Sequence, residues 1–274
     1  MRGVILAGGH GKRLDPLTRV TNKHLLPIYK KPMIFYPIET LVKCGIKDIL
    51  IVTSGEHLGH YFRLLGTGKA WGITLHYEIQ DNSDGTGVAL LCAEEFANKE
   101  DIIVVLGDNI VVDNLSTFVE DFHTHRDIYD AKILIAKVDD PCKYGVVCFE
   151  GDRITKLVEK PLEPFSDYVN TGLWIFKANI FENCKTLKRS VRGEYEITDV
   201  LAQYAADGKL TYGILKSPWT DAGSFEQLYQ ATLLMRELEA RGHSVDPLVP
   251  AGLADPAGLA EPAEISRPTP IEIA

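Results

Sequence analysis

Hydrophobic and polar positions follow two periods along this chain. Val4–Ala7, Asp48–Thr53 and Ile102–Leu106 are short apolar runs, as expected of strands buried on both faces. Ile73–Ile79 alternates like a strand covered on one face. Between these runs the period lengthens. Met33–Cys44 places Ile34, Ile38, Leu41 and Val42 on one helical face and is closed by Gly45. His57–Leu65 reads as a helix ending at Gly66, and Val88–Phe96 as another. Strand and helix in alternation predict an α/β fold with a mostly parallel central sheet flanked by helices. The second half is richer in strands, at Lys132–Val138, Gly145–Phe149, Ile154–Val158, Gly172–Phe176 and Leu210–Leu215. Two further helices are expected. Glu196–Ala206 is closed by Gly208, and Ser224–Ala240 has Phe225, Leu228, Met235 and Leu238 on its apolar side. The pattern stops after Gly242, where six of the fourteen prolines fall within residues 243–274. One domain over 1–241 is therefore expected, followed by a Pro/Ala-rich tail over 242–274 whose composition does not call for a place in the packed core.

Composition narrows the function classes. Of the 274 residues, 45% are hydrophobic and 24% charged, as in ordinary globular chains, and the net charge of −9 argues against nucleic acid or an anionic membrane surface as partner. No cationic segment with an apolar core opens the chain, and no apolar run approaches the ~18 residues of a membrane helix. Cys44, Cys92, Cys142, Cys148 and Cys184 are odd in number and match no zinc spacing, so reduced thiols in a cytoplasmic protein are expected.

With so acidic a chain, cations that matter should be local. The first strand runs into Gly8-Gly9-His10-Gly11-Lys12-Arg13, a turn whose backbone N–H groups can surround an anion while two cations face it. A Walker loop is excluded because Arg13 stands where Ser or Thr is required, and a dinucleotide fingerprint because Leu14 stands where Gly or Ala is required. An ordinary glycine turn is the alternative. Asp108, in Leu106-Gly107-Asp108-Asn109, follows an apolar strand where α/β sheets collect ligands. Asp221, in Trp219-Thr220-Asp221-Ala222-Gly223-Ser224, precedes the last helix. Together these two carboxylates suit Mg²⁺, which takes one or two carboxylates beside phosphate oxygens and waters. Each has a plainer reading, a turn Asp at Asp108 and a helix cap at Asp221. Glu159-Lys160-Pro161 offers an acceptor for sugar hydroxyls beside a cation for a phosphate, or else a solvated strand end. Gln80, in the polar loop Gln80–Gly87, carries the donor and acceptor that reading a base edge requires, or else belongs to a plain loop.

Taken together these stretches resemble the sugar-phosphate nucleotidyltransferases, and among them the short thymidylyltransferase branch. The likeness covers roughly residues 1–240. It rests on Gly8-Gly9-x-Gly11-x-Arg13-Leu14-x-Pro16-Leu17-Thr18, Lys23-x-Leu25-Leu26-Pro27-Ile28, Lys31-Pro32-Met33-Ile34-Phe35-Tyr36-Pro37, Leu106-Gly107-Asp108-Asn109, Glu159-Lys160-Pro161 and Trp219-x-Asp221-x-Gly223. The resemblance implies a Rossmann-like nucleotidyltransferase fold with extra strands for the sugar site. It implies transfer of a nucleotidyl group, expected from dTTP, to a sugar 1-phosphate, expected to be glucose 1-phosphate. It further implies that Gly8, Gly11 and Lys12 cradle the triphosphate, Arg13 stabilises the departing pyrophosphate and Lys23 contacts the α-phosphate. Gln80 and Gly85 would read the base, and Asp108 and Asp221 would hold Mg²⁺. Asn109, Gly145, Glu159 and Asn170 would bind the sugar, and Lys160 its phosphate. Arg13, Lys23 and Lys160 are thus the expected catalytic residues. Lys12, His24, Asn170 and the stretch Gly85–Ala89 depart from the thymidylyltransferase pattern. A uridylyltransferase, a transferase for another sugar 1-phosphate and a non-catalytic nucleotide-sugar sensor are the alternatives. Beyond the two substrates, the expectation is a homodimer or a monomer, with neither nucleic acid nor membrane as partner.

Overall fold

Strand β1 (Arg2–Ala7) is apolar from Val4 onward because it lies between two other strands with both faces covered. In this computed structural model, which describes residues 1–81 and 84–245, the elements follow as β2 (Pro27–Ile28), β3 (Lys31–Pro32), α1 (Phe35–Lys43), β4 (Asp48–Thr53), α2 (Leu58–Leu65), β5 (Thr74–Ile79), α3 (Thr86–Leu91), α4 (Glu94–Ala97), β6 (Ile102–Leu106), β7 (Asn109–Val111) and α5 (Ser116–Thr124). The second half adds β8 (Ala131–Lys137), β9 (Gly145–Glu150), β10 (Arg153–Glu159), β11 (Tyr168–Phe176), α6 (Ile180–Lys185), α7 (Ile197–Ala206), β12 (Leu210–Ile214), β13 (Trp219–Asp221) and α8 (Phe225–Ala240). The expected tail lies outside the described residues from 246 onward.

A nine-stranded sheet carries the fold. β5, β4, β1 and β6 run parallel side by side, so their carboxyl ends open at one edge. β11 then runs antiparallel to β6, and the sheet turns mixed. Along β11 the pairing with β8 slips, so that four residues from Asn170 to Trp174 advance against two on β8. Before the slip β11 pairs with β9, and after it with β6. Gly172 sits in the slip at φ +84, with Thr171 Oγ1 donating to the Leu134 carbonyl at 2.7 Å. Two cores cover the two faces. One gathers Val4, Leu50, Val104, Trp174 and Phe176 under α3, α6 and α7, and the other gathers Ile5, Ile51, Val105 and Phe122 under α1, α2 and α5. A third, small cluster joins α8 to β2 and α1 through Ile28, Tyr36, Ala231 and Met235. Among the described residues no helix is long and apolar enough to cross a membrane.

Two expectations are corrected. The helix expected over Val88–Phe96 is two helices, α3 and α4, separated at Cys92 and Ala93. Phe225 is not on the apolar side of α8 but 48% exposed, and Ala231 takes its place beside Met235. All five cysteines are free; Cys184 is buried and the others half-buried.

Gly172 cannot accept a side chain cheaply. Its φ is unfavourable for other residues, and an added Cβ would sit 2.4 Å from Leu106 Cδ1. Gly172→Ala is expected to cost about 1–3 kcal/mol. The melting temperature should fall by about 2–4 °C per kcal/mol. An unchanged melting temperature would show that the slip in β11 tolerates a side chain.

Candidate active site

The carboxyl ends of the parallel strands open into a cleft with two adjoining halves. In the first half, β1 ends at Ala7 and the chain turns through Gly8 and Gly9. A Cβ on Gly8 would lie 2.4 Å from Gln80 Oε1, so the absent side chain lets the Gln80 amide lie against the turn. Gly11, at φ +64, is crowded by Lys23 and Thr18, each 2.9 Å from where its Cβ would be, and accepts a bond from Thr18 Oγ1 at 3.2 Å. The turn therefore holds Lys23 beneath it. Gly85 opens α3 at φ +111 with the backbone of Tyr195 against it, 2.6 Å from a would-be Cβ. This half is lined by Gly8, Gly9, Lys23, His24, Gln80, Gly85, Thr86, Asp108 and Glu194.

Asp108 stands where the halves meet. Its carboxylate binds Lys23 Nζ at 2.5 Å, with both side chains nearly buried. Burial is the largest single influence and opposes ionisation, but the Lys23 charge, the Lys23 hydrogen bond and smaller contributions together outweigh it and hold the carboxyl down at about 2. Asp221 faces it from the strand alongside. β7 and β13 pair with Asn109 opposite Asp221, and the Ala222 N–H donates to the Asp108 carbonyl at 2.9 Å. Burial and then the Asp108 charge push the Asp221 carboxyl above its usual range. Tyr144 OH donates to Asp221 Oδ1 at 2.7 Å, and Gln227 Nε2 donates to the same oxygen. Ser224, not Asp221, caps α8 by accepting from the Gln227 N–H, so Asp221 is free of that structural duty. A Cβ on Gly223 would lie 2.5 Å from an Arg13 guanidinium nitrogen, so this glycine makes room for Arg13 beside Asp221.

The second half lies over the slip in β11. Glu159 ends β10, and its Oε2 accepts from Thr198 Oγ1 at 2.7 Å. Its Oε1 lies 3.4 Å from both Lys160 Nζ and an Arg192 nitrogen. A Cβ on Gly145 would lie 3.2 Å from Glu159 Oε2. Two asparagines are oriented alike: Asn170 Oδ1 accepts from Trp174 Nε1 at 2.7 Å, and Asn109 Oδ1 accepts from Trp219 Nε1. Asn109 Nδ2 is buried with no partner among the described residues, a donor beside the cleft. Arg13, Asp108, Asn109, Gly145, Glu159, Lys160, Asn170 and Asp221 all line this half.

A glycine turn, a pair of facing carboxylates and a polar pocket share one cleft, and comparison with known proteins places that combination. Residues 2–237 match the model of the family described as nucleotidyl transferase. The chain belongs to that family. Named glucose-1-phosphate thymidylyltransferases resemble it, one from Neisseria meningitidis at 39% identity over 87% of this chain and 84% of the relative. Another, from Mycobacterium tuberculosis, is 39% identical over 88% of this chain and 84% of its own length. A solved Bacillus anthracis structure, of a protein proposed to be a glucose-1-phosphate thymidylyltransferase and in complex with sucrose, superposes with a TM-score of 0.82 at 42% identity, over 86% of this chain and 96% of that one. A UDP-glucose pyrophosphorylase complexed with UDP-glucose gives 0.77 at 25% identity, over 86% and 98%.

Of the site residues expected of this nucleotidyl transferase, two do not line the cleft. Gly11 acts from behind the turn, and Lys12 is exposed and lines neither half. Tyr144, Thr198, Arg192, Glu194, Glu196 and Gln227 were not anticipated. The alternation of Glu194 and Glu196 before a helix and the capping-box spacing from Ser224 to Gln227 were the signals available for them. Among the described residues no group of three or more His, Cys, Asp or Glu side chains is arranged around a metal. The facing pair Asp108 and Asp221 nonetheless suits Mg²⁺. Burial, and after it the Asp108 charge, raise the Asp221 carboxyl, and a dication with phosphate and water ligands would offset both.

His24 is buried beside this pair. Its Nδ1 lies 2.6 Å from Asn22 Oδ1, an acceptor, so Nδ1 carries the proton. Burial and then the Lys23 charge lower its pKa to about 3. The unfolded chain therefore binds a proton at His24 below about pH 6.5 that the folded chain refuses, and stability falls as pH drops from there toward 3. His24→Gln should flatten this limb by up to about 1.4 kcal/mol per pH unit. Urea unfolding of both proteins between pH 7 and 4 measures it, and parallel pH profiles would exclude a buried neutral His24.

Proposed function

We propose that this nucleotidyl transferase carries a thymidylyl group from dTTP to glucose 1-phosphate and releases pyrophosphate. The observation that carries the reading is Asp108, shared between a half-cleft suited to a triphosphate and one suited to a sugar phosphate. The names of the relatives at 39% identity supply the donor and acceptor. An oxygen of the sugar phosphate bonds to the α-phosphorus, and the bond from that phosphorus to the bridging oxygen breaks. The electron pair leaves with pyrophosphate.

A sugar phosphate is already anionic at neutral pH, so it needs no general base. The chain must bring two anions together and balance the charge that develops on the leaving group. In this reading Gly8 faces the triphosphate, Gly11 shapes the turn from behind, and Lys23 reaches the α-phosphate. Arg13 balances the departing pyrophosphate, and Gln80 and Gly85 face the base. Glu159 accepts from sugar hydroxyls, Asn109 and Asn170 donate to them, and Gly145 leaves the sugar room. Lys160 holds the sugar phosphate. Asp108 and Asp221 would hold Mg²⁺, which supplies Lewis-acid stabilisation of phosphoryl oxygens.

Pyrophosphate release with Mg²⁺ is the test, with dTTP, UTP, CTP, ATP and GTP against a panel of sugar 1-phosphates. Fastest turnover is expected with dTTP and glucose 1-phosphate, and none after chelation by EDTA. Preference for UTP would move the chain to uridylyl transfer. No release with any pair, while nucleotide still binds, would favour a sensor. Arg13→Ala and Lys160→Ala should each lower kcat/KM by about 10²–10³-fold, the range for losing one charge-stabilising donor. Near-wild-type activity in either would remove that residue from the mechanism.

A further inference from the structure

Ser224-Phe225-Glu226-Gln227 has the spacing of a capping box, in which the fourth residue normally turns back to the first residue's N–H. Here only half of that exchange is made. The Gln227 N–H donates to Ser224 Oγ at 3.4 Å, and the Ser224 hydroxyl donates to Gln227 Oε1 at 2.7 Å. With its carbonyl held at the helix start, the amide nitrogen is turned away from the cap. Nε2 donates to Asp221 Oδ1 and lies 2.9 Å from Tyr144 OH, which itself donates to Oδ1. One oxygen of Asp221 thus receives two donors, while Oδ2 receives none of them.

We propose that Gln227 is a positioning residue for Asp221: it fixes one carboxylate oxygen so that the other is presented to the cation shared with Asp108. The inference rests on the reading that these carboxylates hold Mg²⁺. The amide is suited to the task because it is neutral. It donates to Asp221 without adding a positive charge that would compete with the cation, as Lys23 does at Asp108. Its position is set by the cap of α8, so the orientation of Asp221 is tied to the start of that helix. Partners of this kind typically change metal affinity by 10–100-fold when removed.

Gln227→Met removes the donor at similar length, and Gln227→Ala is a second, smaller variant. Glu226→Met, one residue earlier and exposed, is the control. Mn²⁺ binding to the full chain is measured by water proton relaxation with α,β-methylene-dTTP present, since protein-bound and nucleotide-bound Mn²⁺ differ in relaxation enhancement. Both Gln227 variants should weaken Mn²⁺ binding about tenfold. In turnover assays the Mg²⁺ concentration for half-maximal rate should rise alike, with KM for the sugar 1-phosphate and the melting temperature unchanged. The control should match the wild type. Unchanged Mn²⁺ affinity in both variants overturns the role of Gln227 and leaves the cation reading standing. A wild type that binds no Mn²⁺ overturns the cation reading, and the inference with it. Loss of the cooperative melting transition in both variants makes Gln227 a folding residue and also overturns it.

Discussion

The two halves of the cleft meet because β11 changes partner in mid-course. A strand that stayed beside β6 throughout would extend the nucleotide half of the sheet and leave β9 and β10 elsewhere. The slip between Asn170 and Trp174 lets one edge of β11 pair first with β9 and then with β6. Gly145 and Glu159 on one side, and Asp108 and Asn109 on the other, are thereby brought around the same space. Thr171 and Gly172 take up the geometric cost, one through its hydroxyl bond to Leu134 and the other through a backbone conformation few residues adopt.

On that frame the electrostatics are graded. Asp108 is matched by Lys23 and stays ionised in a nearly buried setting, because removing a charge from water is tolerated when an opposite charge is bonded to it. Asp221 has only neutral donors bonded to it, and burial with the nearby Asp108 charge raises its carboxyl. Arg13 is close by, held where Gly223 leaves room. The site thus presents one balanced acid and one that is incompletely balanced, a favourable setting for a cation arriving with an anionic substrate.

Much of this was legible in the sequence where period or glycine carried it. Strands β1, β4 and β6 stood out as apolar runs and β5 by its alternation, and the glycine turn, Asp108, Glu159 and Asp221 could be picked out at strand ends. Short elements were not legible. β7 and β13 have three residues each, too few for any periodicity, yet they bring Asp108 and Asp221 together. α5 was missed because only Val119 and Phe122 of its nine residues are buried, so its apolar stripe is thin. The ambiguity at Asp221 between cap and ligand could not be resolved from residue types, since both Asp221 and Ser224 make good caps. Gly85 carried a hidden constraint as well. The sequence suggests an approach to a base, whereas the structure adds a steric reason from the backbone of Tyr195, more than a hundred residues on.

α8 is held at both ends. Its first turn orients Asp221, and near its last turn Glu239 binds Tyr29 and Lys30 at the β2–β3 hairpin, just after Lys23. The helix therefore joins the earliest and the latest functional segments of the chain. For a polypeptide emerging from the ribosome amino end first, β1, β4, β5 and β6 and the turn around Gly8 are available while Asp221 is still unmade. The facing carboxylate and the hairpin's partner arrive together, in one stretch of helix. That arrival closes a very long loop, and the complete charge arrangement exists only once α8 has been made.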